Sequence, residues 1–233
     1  MGYLADIGDL LGQFDVIGAF WVNIQLTFWA AVVSFVVGLV LAVMRVSPAP
    51  SLRWAGAAYV NVFRNTPLTL IILACSIVLW GQLGIILVRN EAGRVSIEQN
   101  GFWLAVIGLS AYTAAFVCEA LRSGVNTVPV GQAEAARAIG LGFGQSIGLI
   151  ILPQALRGAI TPLGNTLIAL TKNSTVATAA GVVQSASVMR QMIEIRPDTG
   201  IAIFLVIGLG FVIVVLPIGM LTTYLSRRLG VAR

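Results

Sequence analysis

Four polar runs interrupt this otherwise oily chain, and they carry the side chains best suited to chemistry. One is Arg64-Asn65-Thr66-Pro67; another is Lys172-Asn173-Ser174-Thr175, directly after Thr171. Arg64 and Lys172 are cations, and a cation inside a bilayer is costly unless it pairs or lines a wet cavity. Both suit the recognition of carboxylates. Two readings stay open for each. Arg64 is interfacial if a span starts only at Pro67, and Lys172 belongs to a packing element if a neighbouring acid pairs with it. Glu119 and Arg122 lie three residues apart, so they share a helix face. They form a local ion pair or brace the loop that follows. The fourth run, from Gly131 to Pro153, reads GQAEAARAIGLGFGQSIGLIILP and suits docking rather than reaction.

Several chemistries are absent. The chain has no histidine, which removes Ser-His catalysis, His-ligated metals and His proton relays. Lys172 is the single lysine and Thr171 precedes it, so no Gly-Lys-Ser/Thr phosphate loop exists. Any coupling to ATP must therefore come from another polypeptide, and the chain is expected not to be an enzyme. A Ser-Lys dyad using Lys172 is the one catalytic alternative that composition leaves open. Cys75 and Cys118 both fall inside predicted spans, where they read as small buried apolar side chains rather than a disulfide or metal site.

The elements that must position these runs are membrane helices. Of 233 residues, 58% are hydrophobic and 10% charged, against about 25% charged in soluble domains. A span needs about 20 mostly apolar residues. Five are predicted, at 19–44, 57–80, 101–121, 155–180 and 201–225 of a single transmembrane domain, 1–233. Trp21 suits an interfacial anchor, Pro67 and Pro217 suit kinks, and the fourth span reads as interrupted, first at Pro162, Gly164 and Asn165 and then by the polar run at 171–175. The outer loop from Gly81 to Asn100 is expected to be partly helical. The first 18 residues carry Asp6, Asp9 and Asp15 and no basic residue, unlike the basic start of a cleaved signal peptide.

Charge sets the expected orientation. With the N-terminus outside, the inner segments hold Arg45, Arg53, Arg122, Arg137, Arg157, Arg227, Arg228 and Arg233 against Glu134 alone. The outer segments hold Arg89, Arg94, Arg190 and Arg196 against Asp6, Asp9, Asp15, Glu91, Glu98, Glu194 and Asp198. The positive-inside rule selects N-out, C-in and puts the loop at 126–153 in the cytoplasm. The net charge of +5 thus reflects topology, and nucleic-acid binding is a poor reading of it.

Within that loop, Gln132 to Ile139 is rich in alanine and suits a short helix. Gly140 suits its C-terminal cap, and Pro153 the first turn of the next span. Ala135 and Ala136 would let the helix enter a groove closely while Glu134 and Arg137 stay polar on its rim. The competing reading is a solvated linker.

The spacing Glu134-Ala135-Ala136, Gly140, Ile150, Leu152-Pro153 resembles the EAA loop of ABC importer permeases. The likeness extends through Arg64-Asn65-Thr66-Pro67, Glu119 with Arg122, Gly131-Gln132 and GNTLIALTKNSTV at 164–176 to the polar amino-acid uptake permeases. Within them it runs to the GluC-type glutamate permeases of actinobacteria. Asn65 stands where most of that family has glycine.

The resemblance implies an all-α, five-span permease of type I importer fold in a bacterial plasma membrane. It implies two ATPase subunits, which hold ATP and Mg, and a second related permease subunit forming a heterodimer. An extracytoplasmic solute-binding protein would deliver a small polar amino acid, with glutamate expected. Gln132, Glu134, Ala135, Ala136, Arg137, Gly140 and Pro153 would form the ATPase-coupling element. Arg64, Asn65, Thr66, Pro67, Lys172, Asn173, Ser174 and Thr175 would line the substrate pathway, and Glu119 with Arg122 would be a structural pair. The alternative is an ion-coupled secondary carrier or channel that acts without an ATPase.

Overall fold

The computed structural model describes residues 12–89, 93 and 95–229. Asp6, Asp9, Glu91, Arg94 and Arg233, which contribute to the charge bias, lie outside those described residues. Helices dominate: α1 (Val16–Val46), α2 (Pro50–Asn65), α3 (Leu68–Gln82), α4 (Ile97–Val125), α5 (Val130–Ala138), α6 (Phe143–Ala180), α7 (Ser185–Ile195) and α8 (Pro197–Leu229). Helix is what an apolar segment adopts in lipid, because it satisfies every backbone group internally. The 31 residues of α1, at about 1.5 Å each, exceed the roughly 30 Å hydrocarbon core. By length and composition α1, α4, α6 and α8 are membrane-crossing helices, and the broken pair α2 and α3 brings the number to five if counted as one span.

Three expectations need correction. The segment 57–80 is not one kinked helix: α2 stops at Asn65, Thr66 is extended, Pro67 opens α3, and the chain bends by 104° there. Proline disfavours a helical residue before it and has no N–H to continue the ladder. The fourth span, expected to be interrupted at Pro162–Asn165 and again over 171–175, keeps only the second of those breaks. Helix continues through to Asn173, with the Thr166 hydroxyl donating to the Pro162 carbonyl at 2.9 Å, and unwinds only over Ser174–Ala180 into a tighter 3₁₀ turn. The loop from Gly81 to Asn100 holds little helix beyond the ends of α3 and α4. Among its described residues it is irregular, with one antiparallel bridge between Arg89 and Val95.

The chain divides into two compact units. The first comprises residues up to 30, 67–109 and 170–216. Its apolar core includes Ala19, Val188, Met192, Ile203 and Ile207, with the Phe20 and Phe211 rings meeting edge-on at 5.1 Å. Beside it lies a polar knot that sequence reading missed. The Asn23 amide donates to Ser174 Oγ at 2.8 Å and to Gln184 Oε1 at 3.2 Å, and its oxygen accepts from the Ser185 N–H at 3.1 Å. Gln184, fully buried, also donates to the Thr175 carbonyl and to the Thr178 hydroxyl. This knot ties α1 to the unwound end of α6 and to the start of α7.

Asn23→Ala strands the Ser185 N–H and removes a partner from two buried side chains. The expected loss is about 1–3 kcal/mol, read as a lower Tm of the purified protein. An unchanged Tm would show the amide to be dispensable.

The second unit comprises 31–66, 110–169 and 217 onward. Its core draws Leu41 and Ala42 from α1, Val60 from α2, Ala114, Val117 and Leu121 from α4, and Ala159 from α6. Small residues let these helices approach, as membrane helices require for close packing. Gly124 on α4 marks a close backbone approach, since a side chain there would run into the carbonyl of Ala155 on α6. The Tyr59 hydroxyl donates to the Ala111 carbonyl at 2.9 Å. Cys75 and Cys118 are buried and unbridged.

Candidate functional site

The loop between α4 and α6 is a small, well-terminated structure. Pro129 precedes α5, which spans nine residues. At its end Gly140 adopts φ +83, the left-handed conformation that glycine accepts without a Cβ clash. The Leu141 N–H then reaches the Ala136 carbonyl and the Gly140 N–H the Arg137 carbonyl, both at 3.0 Å. This is the Schellman pattern, which satisfies carbonyls that the helix end would leave orphaned. The expected cap at Gly140 is therefore seen.

The faces of α5 differ from expectation in one respect. Ala136 is turned into the protein, with 1% of its surface exposed, so it anchors the helix instead of meeting a partner. Gln132, Glu134, Ala135 and Arg137 point outward. Glu134 and Arg137 form no ion pair among the described residues. Sequence reading missed the apolar ends of this surface. Val130 and Ile139 are 72% and 75% exposed on an otherwise polar loop. The hint was there, as apolar residues bracketing an alanine-rich helix.

After the loop the chain re-enters helix at Phe143, and the Gly142 N–H donates to the Gln145 side chain at 3.0 Å. Pro153 lies in the first turn of the regular α-helical part of α6, Leu152–Asn173, as expected. A wider π-helical turn over Ser146–Ile151 comes just before it. Proline crowds the carbonyl four residues back and cannot bond to it, so a widened turn there relieves the conflict. The Gln154 amide adds a bond to the Ile150 carbonyl at 2.8 Å.

In the two polar runs expected to face substrate, four side chains donate to backbone carbonyls close by in the chain. The Asn65 amide donates to the Asn61 carbonyl at 2.7 Å and the Thr66 hydroxyl to the Val62 carbonyl at 2.8 Å. Both side chains therefore finish their own helix. Ser174 is fully buried and donates to the Thr171 carbonyl, and Thr175 donates to the Lys172 carbonyl. Asn173 is half-buried and Pro67 exposed. Arg64 and Lys172 keep their charged ends outward. Lys172 is exposed and makes no ion pair among the described residues, so the paired alternative is not seen.

Arg64 belongs to a larger charge group than sequence spacing indicated. Glu119 pairs with Arg122 at 3.4 Å and also with Arg45 from α1, while Arg64 stands 3.9 Å from the same carboxylate oxygen. The Arg64 guanidinium lies 5.9 Å from the centre of the Phe116 ring, a cation–π contact. No group of acidic, His or Cys residues suited to a metal occurs among the described residues.

The family model described as "Binding-protein-dependent transport system inner membrane component" matches residues 11–231. The chain is 47% identical over 229 residues to the glutamate transport system permease protein GluC of Corynebacterium glutamicum, covering 98% of each. It is 36% identical over 198 residues to the probable glutamine ABC transporter permease protein GlnM of Bacillus subtilis, covering 84% of each. Its fold matches a chain from the crystal structure of an amino acid ABC transporter with histidines, at a TM-score of 0.74 and 23% identity, covering 97% of both chains. These relatives are transport permeases rather than enzymes. A family match along almost the whole chain, on a bundle with four or five membrane-crossing helices, places this protein among the binding-protein-dependent transport system inner membrane components.

Proposed function

We propose that the chain is a permease subunit of an ATP-driven importer of glutamate, working with a separate ATPase. The observation that carries the coupling half of this reading is α5 itself. It is a rigidly capped helix whose outward face combines unpaired Glu134 and Arg137 with exposed Val130 and Ile139. Exposed apolar residues rimmed by charge mark a docking surface. In this reading the chain sits N-out and C-in, α5 seats on the ATPase, and ATP and Mg are held there. A second related permease completes the pathway as a heterodimer, and an extracytoplasmic binding protein delivers the cargo. The glutamate assignment draws on the 47% identity to a protein named as a glutamate permease.

Co-purification of the chain with its ATPase and partner permease, followed by ATP hydrolysis across an amino-acid panel, tests the reading. Glutamate should stimulate hydrolysis and uptake most. Uptake by the purified chain alone in liposomes, driven only by an ion gradient, would overturn the coupling in favour of a secondary carrier.

Lys172 supplies a narrower test. A charged hydrogen bond to a substrate carboxylate contributes about 1.5–3 kcal/mol, so Lys172→Ala should slow glutamate uptake about 10- to 100-fold. Because the side chain is exposed and unpaired, assembly should be unaffected. Unchanged uptake kinetics would remove Lys172 from the pathway.

A further inference from the structure

Three guanidinium groups share one carboxylate oxygen in the second unit. Arg45, Arg64 and Arg122 all direct their nearest nitrogen to Glu119 Oε1, from helices α1, α2 and α4. One negative charge against three positive leaves an excess of two. Such an excess beside apolar helices is costly unless water or a further anion answers it.

The three arginines are held differently. The Arg45 side chain is 16% exposed and bonds Glu119 directly, and Arg122 bonds it along the same helix. Arg64 is 47% exposed and stands at the outer limit of an ion pair, its guanidinium resting over Phe116. Asn65 and Thr66, its neighbours, are committed to their own backbone. The cluster therefore has a fixed inner pair and one loosely held, ring-oriented guanidinium on its open side. The flat fork of arginine accepts a carboxylate through two parallel hydrogen bonds, which a lysine cannot reproduce.

We propose that Arg64 is a receptor for a carboxylate of the cargo, and that Glu119 is its built-in counter-anion. Glu119 draws Arg64 inward when no cargo is present and yields it when a cargo carboxylate arrives. The arriving anion lowers the local excess from two charges to one. Glu119 then remains paired with Arg45 and Arg122, so the exchange needs no rearrangement of the inner pair. This goes beyond a structural Glu119–Arg122 pair and rests on the proposed import of an acidic amino acid.

The test uses the assembled complex of both permeases and the ATPase in nanodiscs of neutral lipid, with radiolabelled glutamate as the probe. Arg64→Gln should weaken glutamate binding at least tenfold, and Arg64→Lys should fall between it and the wild type. Phe116→Leu, which keeps every charge, should weaken binding about threefold. Glu119→Gln removes the competitor and should tighten binding; should that variant fail to assemble, the Arg64 series decides alone. Wild-type binding in Arg64→Gln overturns the proposal. So does an Arg64→Gln complex with normal glutamate binding that loses stability only in anionic lipid, because the anion is then a headgroup. A wild-type complex that neither binds glutamate nor hydrolyses ATP in response to it overturns the cargo assignment instead.

Discussion

Glu134→Lys should cut glutamate uptake about 100-fold while leaving the fold intact. A nine-residue helix is too short to persist on its own in water, where about 12–15 residues are needed. What holds α5 is its context: Ala136 buried beneath it and the Gly140 termination behind it. Glu134 belongs to neither support. It is exposed and unpaired, so reversing its charge should change stability by no more than about 0.5 kcal/mol. At a docked surface the same change places a like charge where an opposite one is met, and central interface residues cost about 2–4 kcal/mol when altered. The signature is a split. Tm and expression stay at wild-type values, while uptake and the cargo-stimulated part of ATP hydrolysis disappear together. Wild-type uptake in this variant would remove α5 from coupling, whatever the family resemblance.

Gly124→Leu should act by the opposite route, through packing. Gly124 is buried on α4, and a side chain there would meet the Ala155 carbonyl, with the Ala159 Cβ at 2.9 Å. Beside the same contact Gly158 also lacks room for a side chain, since a Cβ there would run into the Thr127 hydroxyl and lie 3.3 Å from the Gly124 Cα. Overpacking of this kind costs about 1–3 kcal/mol in soluble cores. It should cost at least as much here, because close backbone approach is itself the source of helix association in lipid. The expected result is a lower Tm and little complex recovered with the ATPase, with Gly124→Ala intermediate. Gly148→Ala is the control, since nothing lies within 4 Å of a Cβ at that position. Equal recovery of all three variants would show that α4 and α6 do not depend on this contact. The consequence for coupling is direct: α5 is tethered at one end to α4 and at the other to α6, so their clamp sets whether a push on α5 moves both.

Several features were readable from residues alone, and all of them are local. Apolar length marked where helices could cross a membrane. Pro67 marked a disturbance in the segment 57–80, because proline constrains both its own backbone and that of the residue before it, but it read as a kink and the full stop at Asn65 came from the structure. Gly140 marked the end of α5, because the left-handed turn there suits a residue without Cβ. The absence of histidine and of a phosphate loop excluded chemistry without any coordinates. Local reasoning went wrong at two positions. Pro162 looked like a break, yet α6 runs through it, and Ala136 looked available, yet it is buried.

What only the tertiary structure decided is which distant residues meet and which polar groups are already spent. Arg45 and Glu119 are 74 residues apart, and Asn23 and Gln184 are 161 apart. No spacing rule links such pairs, because helix packing in lipid turns on the fit of small residues that composition does not order. The same holds for satisfaction. By residue type, Asn65, Thr66, Ser174 and Thr175 resemble ligands as much as Lys172 does. Yet their hydrogen bonds are committed to nearby carbonyls, while Arg64 and Lys172 keep exposed charges. Residue type states what a side chain can bond to; the folded backbone determines whether that bond has already been made.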